Sequence, residues 1–260
     1  DYSWREVNDQ VLRMVAHLQS LNLPAKSCIG ILGKNSAHWV MSDLAIWMAG
    51  HVSVPLYPTL NAETVRYIIE HCECKLLFIG KMDGKTDTWH DLKHGIPEAI
   101  PKIALPMCPV AEITKWVDIV AQTPASTQPH QPTREELATI VYTSGTTGQP
   151  KGVMHSFGGM MSAAEGLKQM FGANEHDRML SYLPLAHVAE RAAVESCSLY
   201  FGYHLFFANN LDTFVQDLQR ARPTLFFSVP RLWTKFYLGI NEKLPPAKQK
   251  ILFNMPFVGG

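Results

Sequence analysis

The shortages in this sequence are its first guide. The 260 residues carry 23 Lys+Arg against 23 Asp+Glu, a formal net charge of zero. No overall basic field exists to grip a phosphate backbone, which argues against non-specific nucleic-acid binding. Cysteines number only five: Cys28, Cys72, Cys74, Cys108 and Cys197. An odd count without regular spacing is not a disulfide framework. Cys72-Glu73-Cys74 also lacks the two-residue spacer of redox and zinc motifs. Reduced thiols in a cytoplasmic setting are the simplest reading. No apolar run approaches the roughly 20 residues of a membrane-spanning helix. The longest charge-free stretch, residues 44–62, is broken by Pro55 and Pro58. There is no G-x-S-x-G elbow to support a hydrolase serine, and no repeat at solenoid spacing. What remains is ordinary globular composition, 47% hydrophobic and 18% charged. That excludes whole-chain disorder, collagen and coiled coil, and the length suffices to bury a core.

Periodicity then gives the organisation. Ser3 and Glu6 have capping-box spacing, and Val7, Val11, Val15 and Leu18 follow on one helical face. The apolar run 28–32 reads as a buried strand, 36–49 as a helix stopped by Gly50, and 51–57 as a strand. Asn61 caps a helix through Cys72, and 75–79 is another strand. Residues 81–95 are polar and read as a surface excursion. Pro124, Pro129 and Pro132 mark residues 122–134 as a linker. Alternation resumes with strand 138–142, helix 156–171, strand 178–183, helix 187–200 and strand 204–207. Helix 211–221, strand 224–228 and a helix from Pro230 to about residue 243 complete it. Strands alternating with helices of this length predict an α/β fold with a largely parallel sheet.

The chemistry concentrates at residues 143–151. Here a β-like run enters nine residues, Thr143-Ser144-Gly145-Thr146-Thr147-Gly148-Gln149-Pro150-Lys151, holding four hydroxyls, two glycines and a lysine. Glycines let backbone N–H groups approach an anion, hydroxyls add donors, and Lys151 adds a full charge. A Walker A loop has Gly-Lys-Ser/Thr at its end. Here Pro150 precedes the lysine and Gly152 follows it, and proline has no N–H to offer a phosphate. The Walker reading fails, and a plain Gly/Thr-rich turn is the alternative.

The string T-S-G-T-T-G-x-P-K-G, continued through Gly152, resembles the signature of the adenylate-forming superfamily: acyl-CoA synthetases, luciferases and peptide-synthetase adenylation domains. Tyr182-Leu183-Pro184-Leu185-Ala186-His187 resembles a second segment of that superfamily. Glu190-Arg191 beyond it, and Val229-Pro230-Arg231, look like the long-chain fatty-acid–CoA ligase branch, although Thr234 stands where that branch carries an acidic residue. Gly30-Ile31-Leu32, Asn35-Ser36, Ala49-Gly50 and Val54-Pro55-Leu56-Tyr57-Pro58 are also typical of it. The resemblance implies layered αβ subdomains of the family's N-terminal region: a first αβ portion at 1–121, the linker at 122–134, and a phosphate-loop and acyl-pocket portion at 135–260.

It implies ATP-dependent activation of a fatty acid through acyl-AMP to acyl-CoA, with ATP, Mg²⁺ and CoA as reactants and cofactor. Thr143, Ser144, Gly145, Thr146, Thr147, Gly148 and Lys151 would hold the β- and γ-phosphates, and His187 would border the acyl carboxylate. No residue is singled out as a metal ligand. The implied protein is cytoplasmic, free of membrane spans, open to peripheral membrane contact, and of undetermined oligomeric state. The later Y-G-x-T-E and T-G-D segments and the family's C-terminal domain have no match here. The chain is therefore read as a fragment, expected to be inactive by itself. The alternatives are another adenylate-former, aryl-specific or luciferase-like, and a non-catalytic nucleotide-binding pseudo-enzyme.

Other candidates have plainer readings. Glu190 and Arg191 read as a helix-surface ion pair. His90 and His94 share a helical face, but Asp91 stands where the zinc motif needs Glu, and no third ligand is evident. His71 with Cys72 and Cys74 is equally weak as a metal site. Met160, Met161, Met170, Phe171, Phe206 and Phe207 read as core rather than as an acyl tunnel.

Overall fold

A computed structural model describes residues 1–82, 88–143, 148–210, 212–244 and 248–249. The first compact unit, Asp1–Leu225, is built on a seven-stranded sheet. Its strands are β1 (Cys28–Leu32), β2 (Val52–Leu56), β3 (Leu76–Ile79), β4 (Lys102–Ala104), β5 (Thr114–Lys115), β6 (Leu137–Thr143) and β7 (Lys151–Ser156). Their order is β5-β4-β3-β1-β2-β6-β7. All neighbours pair parallel except β6 and β7, which form an antiparallel hairpin. The sheet runs unbroken across residues 122–134, because β6 pairs β2 at Ser53–Thr139.

The helices form where the caps and apolar spacing predict. In α1 (Trp4–Ser20) the Ser3 hydroxyl accepts from Glu6 N–H and Glu6 reaches back to the Ser3 N–H, a complete capping box. Ser36 caps α2 (Ala37–Met48) and Asn61 caps α3 (Ala62–His71). The strands bury both faces, and their two-residue period divides the core. Ile29, Ile31, Leu76 and Phe78 face α1, α2 and α5 (Trp116–Gln122). Leu32, Leu77 and Ile79 face α3 and α4 (Thr88–Leu92). Both-face burial explains why these strands read as continuous apolar runs.

Beyond the hairpin come α6 (Phe157–Phe171), β8 (Arg178–Ser181), β9 (His204–Phe207) and α9 (Phe214–Ala221). Between the two strands, one helical stretch runs through α7 (Val188–Glu190), a π-helical turn at Arg191–Ser196, and α8 (Cys197–Phe201). β8 and β9 make a separate two-stranded parallel sheet. The expected strand at 224–228 reduces to a single bridge, Met179 to Leu225. The second unit, Phe226–Gly260, contains α10 (Pro230–Lys243) with Pro230 at its start.

The excursion at 81–95 is more structured than its polarity implies. Residues 83–87 lie outside the description, but α4 buries Leu92 and the turn after it buries Gly95. A Cβ on Gly95 would sit 2.9 Å from Ala62 Cα and collide with the Ala62 carbonyl. Backbone cannot yield there as a side chain could. Gly95→Ala is therefore expected to cost about 1–3 kcal/mol, read as a lowered urea midpoint at unchanged slope. An unchanged midpoint would mean that this turn is not held against α3.

Candidate active site

The nine-residue motif sits on the β6–β7 hairpin. Thr143 ends β6 and Lys151 opens β7, opposite each other in register. Ser144, Gly145, Thr146 and Thr147 lie outside the described residues. Gly148 has φ +100°, a backbone few side chains tolerate. Lys151 is exposed and makes no ion pair among the described residues. The loop thus leads into an antiparallel strand, whereas a Walker loop leads into a helix. An unpaired cation beside a permissive glycine and the Thr143 hydroxyl suits a polyphosphate. A protein-held metal has no such support. Among the described residues no group of three or more His, Cys, Asp and Glu side chains could hold one. That includes His90 with His94, whose rings contact edge to face.

His187 lies on another segment, as the N-cap of α7. Its Nδ1 accepts from the Ala189 N–H at 3.1 Å, so the tautomer carries its proton on Nε2. No hydrogen bond among the described residues joins it to Thr143, Gly148 or Lys151.

Asn35, just after β1, fixes the strand-end loop that carries this segment. Its Nδ2 donates to Ser181 Oγ at 2.7 Å and to the Leu183 carbonyl at 2.6 Å, and its Oδ1 accepts from Leu185 N–H at 2.9 Å.

Glu190 and Arg191 are not a surface pair. Both are buried, and each serves a different network. Glu190 Oε1 accepts from Ser181 Oγ at 2.8 Å and Tyr182 N–H at 3.0 Å, while Oε2 is buried without a partner. Burial pushes this carboxyl up to about 8. Arg191 lies over the rings of Trp39 and Trp47, 5.3 and 5.6 Å from their centroids. Its Nη2 donates to Asp43 Oδ2 at 2.5 Å and to Ser53 Oγ at 3.4 Å. Glu195 stands 3.8 Å from Arg191 Nε. Two buried carboxyl groups thus face one guanidinium. Asp43 Oδ1, both Glu195 oxygens and Arg191 Nε and Nη1 lack a hydrogen-bond partner among the described residues, and one proton shared between the carboxyl groups relieves two of the three oxygens. That proton belongs on Glu195, whose carboxyl is pushed well up by burial and by the charge of Asp43. Burial and the nearby Arg191 charge push the imidazole of His155 on β7 below its usual value. The sequence carried no signal for this network beyond the Glu-Arg pair itself, since Asp43 is 148 positions from Arg191.

An open cleft of about 420 Å³ lies elsewhere, with Cys28, His71, Cys72, Lys75 and Tyr142 in its wall. Thr143, Lys151 and His187 do not line it.

A largely parallel sheet ending in an antiparallel edge hairpin is a fold this chain shares with adenylate-forming ligases. The fold matches that of ATP-bound MatB from Rhodopseudomonas palustris with a TM-score of 0.72, at 23% identity, over 89% of this chain and 45% of that one. The AMP-binding enzyme family matches residues 1–254, and the chain belongs to that family. It is 31% identical to long chain acyl-CoA synthetase 4 of Arabidopsis thaliana over 98% of its length and 41% of the relative's. It is 32% identical to fatty acyl-CoA synthetase A of Dictyostelium discoideum, over 98% of its length and 40% of the relative's. The chain therefore spans about 40% of the length of the curated relatives it matches. No helix among the described residues is long and apolar enough to cross a membrane.

Glu190 gives this region a pH signature. Its folded-state value, about 8, lies above the ordinary 4.5. The folded state thus keeps a proton that the unfolded chain has lost. The associated stability is full below about pH 4.5 and is lost as pH rises through 8. Glu190→Gln removes that dependence. The stability difference between wild type and Glu190→Gln should shift toward the variant from pH 6 to 8, by up to about 1.4 kcal/mol per pH unit. Urea unfolding at several pH values measures it. A difference independent of pH would place Glu190 in a wetter setting.

Proposed function

We propose that this chain forms part of an ATP-dependent acyl-CoA synthetase that activates a fatty acid. The observation that carries the reading is the Thr/Ser/Gly string between β6 and β7, with Lys151 at the start of β7 exposed and in no ion pair among the described residues. The relatives named for long-chain and fatty acyl substrates support the fatty-acid assignment over an aryl or luciferase-like one. In this reading residues 1–121 and 135–260 are successive portions of the AMP-binding region, joined at 122–134.

A carboxylate is a poor electrophile, because thiol attack would have to expel oxide. Attack of the carboxylate oxygen on the ATP α-phosphate forms acyl-AMP and releases pyrophosphate. The CoA thiol then displaces AMP, a good leaving group. Catalysis is chiefly positioning and charge neutralisation. Thr143, Ser144, Gly145, Thr146, Thr147, Gly148 and Lys151 hold the β- and γ-phosphates, and Lys151 balances charge on the departing pyrophosphate. Mg²⁺ enters bound to the nucleotide and neutralises phosphate charge. His187 borders the acyl carboxylate, offering Nε2–H as a donor.

Two substitutions in the whole protein test these roles by ATP–pyrophosphate exchange across a panel of fatty and aryl acids. Lys151→Ala should lose about 1.5–3 kcal/mol of charged hydrogen bonding, roughly 10–100-fold in exchange rate. Unchanged kcat and KM for ATP would remove Lys151 from the site.

For His187 the cap must be separated from the acid contact. Loss of an N-cap costs about 0.5–2 kcal/mol of stability. Asn preserves the cap but places no donor where Nε2 stands. His187→Asn should fold with a normal Tm, form acyl-AMP more slowly, and bind ATP as before. Normal exchange by His187→Asn, with a low Tm for His187→Ala, would make His187 a helix cap alone.

A further inference from the structure

Three of the five thiols meet at one place, at a cleft whose wall includes Tyr142 and Gly152 but not Thr143, Lys151 or His187. Cys28 opens β1, while Cys72 and Cys74 flank the turn between α3 and β3. The β-ladder draws them together: Lys75 N–H donates to the Cys28 carbonyl at 2.9 Å, one step before the Ile29–Leu76 pair. Glu73, at φ +49°, reverses the chain after α3 so that Cys74 N–H reaches the Ile69 carbonyl at 2.9 Å. The reversal turns both cysteines of the Cys-Glu-Cys run toward Cys28. The Cys72 thiol donates to the Ile69 carbonyl at 3.8 Å and that of Cys74 to the Leu76 carbonyl at 3.1 Å. The three are not equivalent. Cys74 is buried, and its sulfur packs where a side chain on Gly30 would go. Cys28 and Cys72 are half-buried and line the 420 Å³ cleft, beside Lys26, Lys75 and His71. Solvent and a small oxidant can reach these two and not the third.

We propose that Cys28 and Cys72 form a reversible oxidation site, in which Cys28 is the sulfur oxidised first by a peroxide and Cys72 is the resolving thiol. The Cys28 thiolate attacks one oxygen of hydrogen peroxide, breaking the O–O bond to give a sulfenic acid and hydroxide. Cys72 then attacks the sulfenic sulfur, forming the S–S bond and releasing water. In sum, two thiols and one peroxide yield one disulfide and two waters. The order of events follows from the surroundings. The Cys72 S–H holds the Cys28 thiol below its usual value against burial and the Glu73 carboxylate, with a smaller contribution from the Lys75 ammonium. Its two neighbours and burial push Cys72 up, so Cys72 keeps its proton and donates it. A thiolate-stabilised, accessible sulfur next to a second thiol is the arrangement in which peroxide oxidation stops at the disulfide.

The site involves neither ATP nor a carboxylic acid, so its test stands apart from the proposed ligase activity. The chain is treated with one equivalent of hydrogen peroxide and quenched with iodoacetamide. Trypsin followed by glutamyl endopeptidase then cuts after Lys26, Lys34, Glu70 and Glu73, which separates Cys72 from Cys74. Mass spectrometry without reductant should find the Cys28 peptide joined to the Cys72 peptide. Denatured thiol titration should fall from five to three, and dithiothreitol should restore five. Cys74→Ser should retain the linked pair, and Cys28→Ser should lose it. Any of three results would overturn the proposal: a Cys72–Cys74 link as the main product, sulfinic acid at Cys28 with no link, or unchanged free thiols under conditions that oxidise glutathione. The wild-type measurement decides the question even if a variant folds poorly.

Discussion

The arrangement depends on a charge placed where water cannot reach it. Arg191 is 1% exposed and Asp43 fully buried. Desolvating two charges costs several kcal/mol each, and the contacts that offset this are incomplete, since Arg191 Nε and Nη1, Asp43 Oδ1 and both Glu195 oxygens are buried without a hydrogen-bond partner among the described residues. Here Trp39 and Trp47 cover the guanidinium and Ser53 takes a second contact. Ser53 belongs to β2, and Thr139 of β6 donates its hydroxyl to the Ser53 carbonyl at 2.9 Å. One guanidinium therefore ties α2, β2 and the 188–201 helical stretch together, one residue away from the strand that enters the phosphate-loop motif. The π-helical turn is part of the same constraint. A wider turn lets Arg191, Val194 and Glu195 all face the interior, and such turns commonly mark places where side-chain aim outweighs helix regularity.

Glu190 and Arg191 divide the work between neighbours in sequence. Arg191 points to the large sheet, and Glu190 points to the end of β8. Asn35 meets Glu190 at the same Ser181 hydroxyl, which it approaches from the end of β1. The Tyr182–Leu185 loop is thus held from two sides before it reaches His187. A helix cap on a loop anchored this way has little freedom to wander. In the proposed reading that is what a carboxylate-facing imidazole requires, because misplacement of about 1 Å can cost two orders of magnitude in rate.

Much of the fold was legible because the central strands are buried on both faces and the helices carry side-chain caps. β1 and β9 fall on the apolar runs that announce them, Ser3 and Asn61 cap helices as their spacing predicts, and Ser36 and Ser156, read as helix starts, prove to be caps as well. The elements that went unread lack those signals. β4 and β5 are three and two residues long at the sheet edge. β7 begins Lys151-Gly152, which reads as the tail of a loop, and it is half-exposed. α5 lacks a side-chain cap and is recognisable only through Trp116, whose indole N–H donates to Gln10 on α1. The loop residues could be proposed from sequence because a contiguous motif carries them. The Asp43–Arg191–Glu195 cluster could not, since nothing local distinguishes a buried arginine from one on a helix surface.

The strand that follows the loop also sets how an anion can be gripped. In a strand–loop–helix arrangement, the free N–H groups of the helix start supply a positive field with no side chain involved. Here β7 pairs with β6 from Lys151 onward, and its inward amides are committed to the ladder. Little backbone field is left beyond the loop itself, and Pro150 removes one more N–H. The attraction must then come from side chains, which explains a motif of four hydroxyls and a lysine where a Walker loop makes do with fewer. A grip built on one exposed ammonium and neutral donors depends heavily on that one charge. Such a grip weakens with ionic strength more than one supplied by a buried helix terminus, because exposed charges are screened over about 10 Å at ordinary salt. In the proposed reading, Lys151, rather than any single hydroxyl, is on this physical ground the residue on which phosphate binding at this hairpin turns.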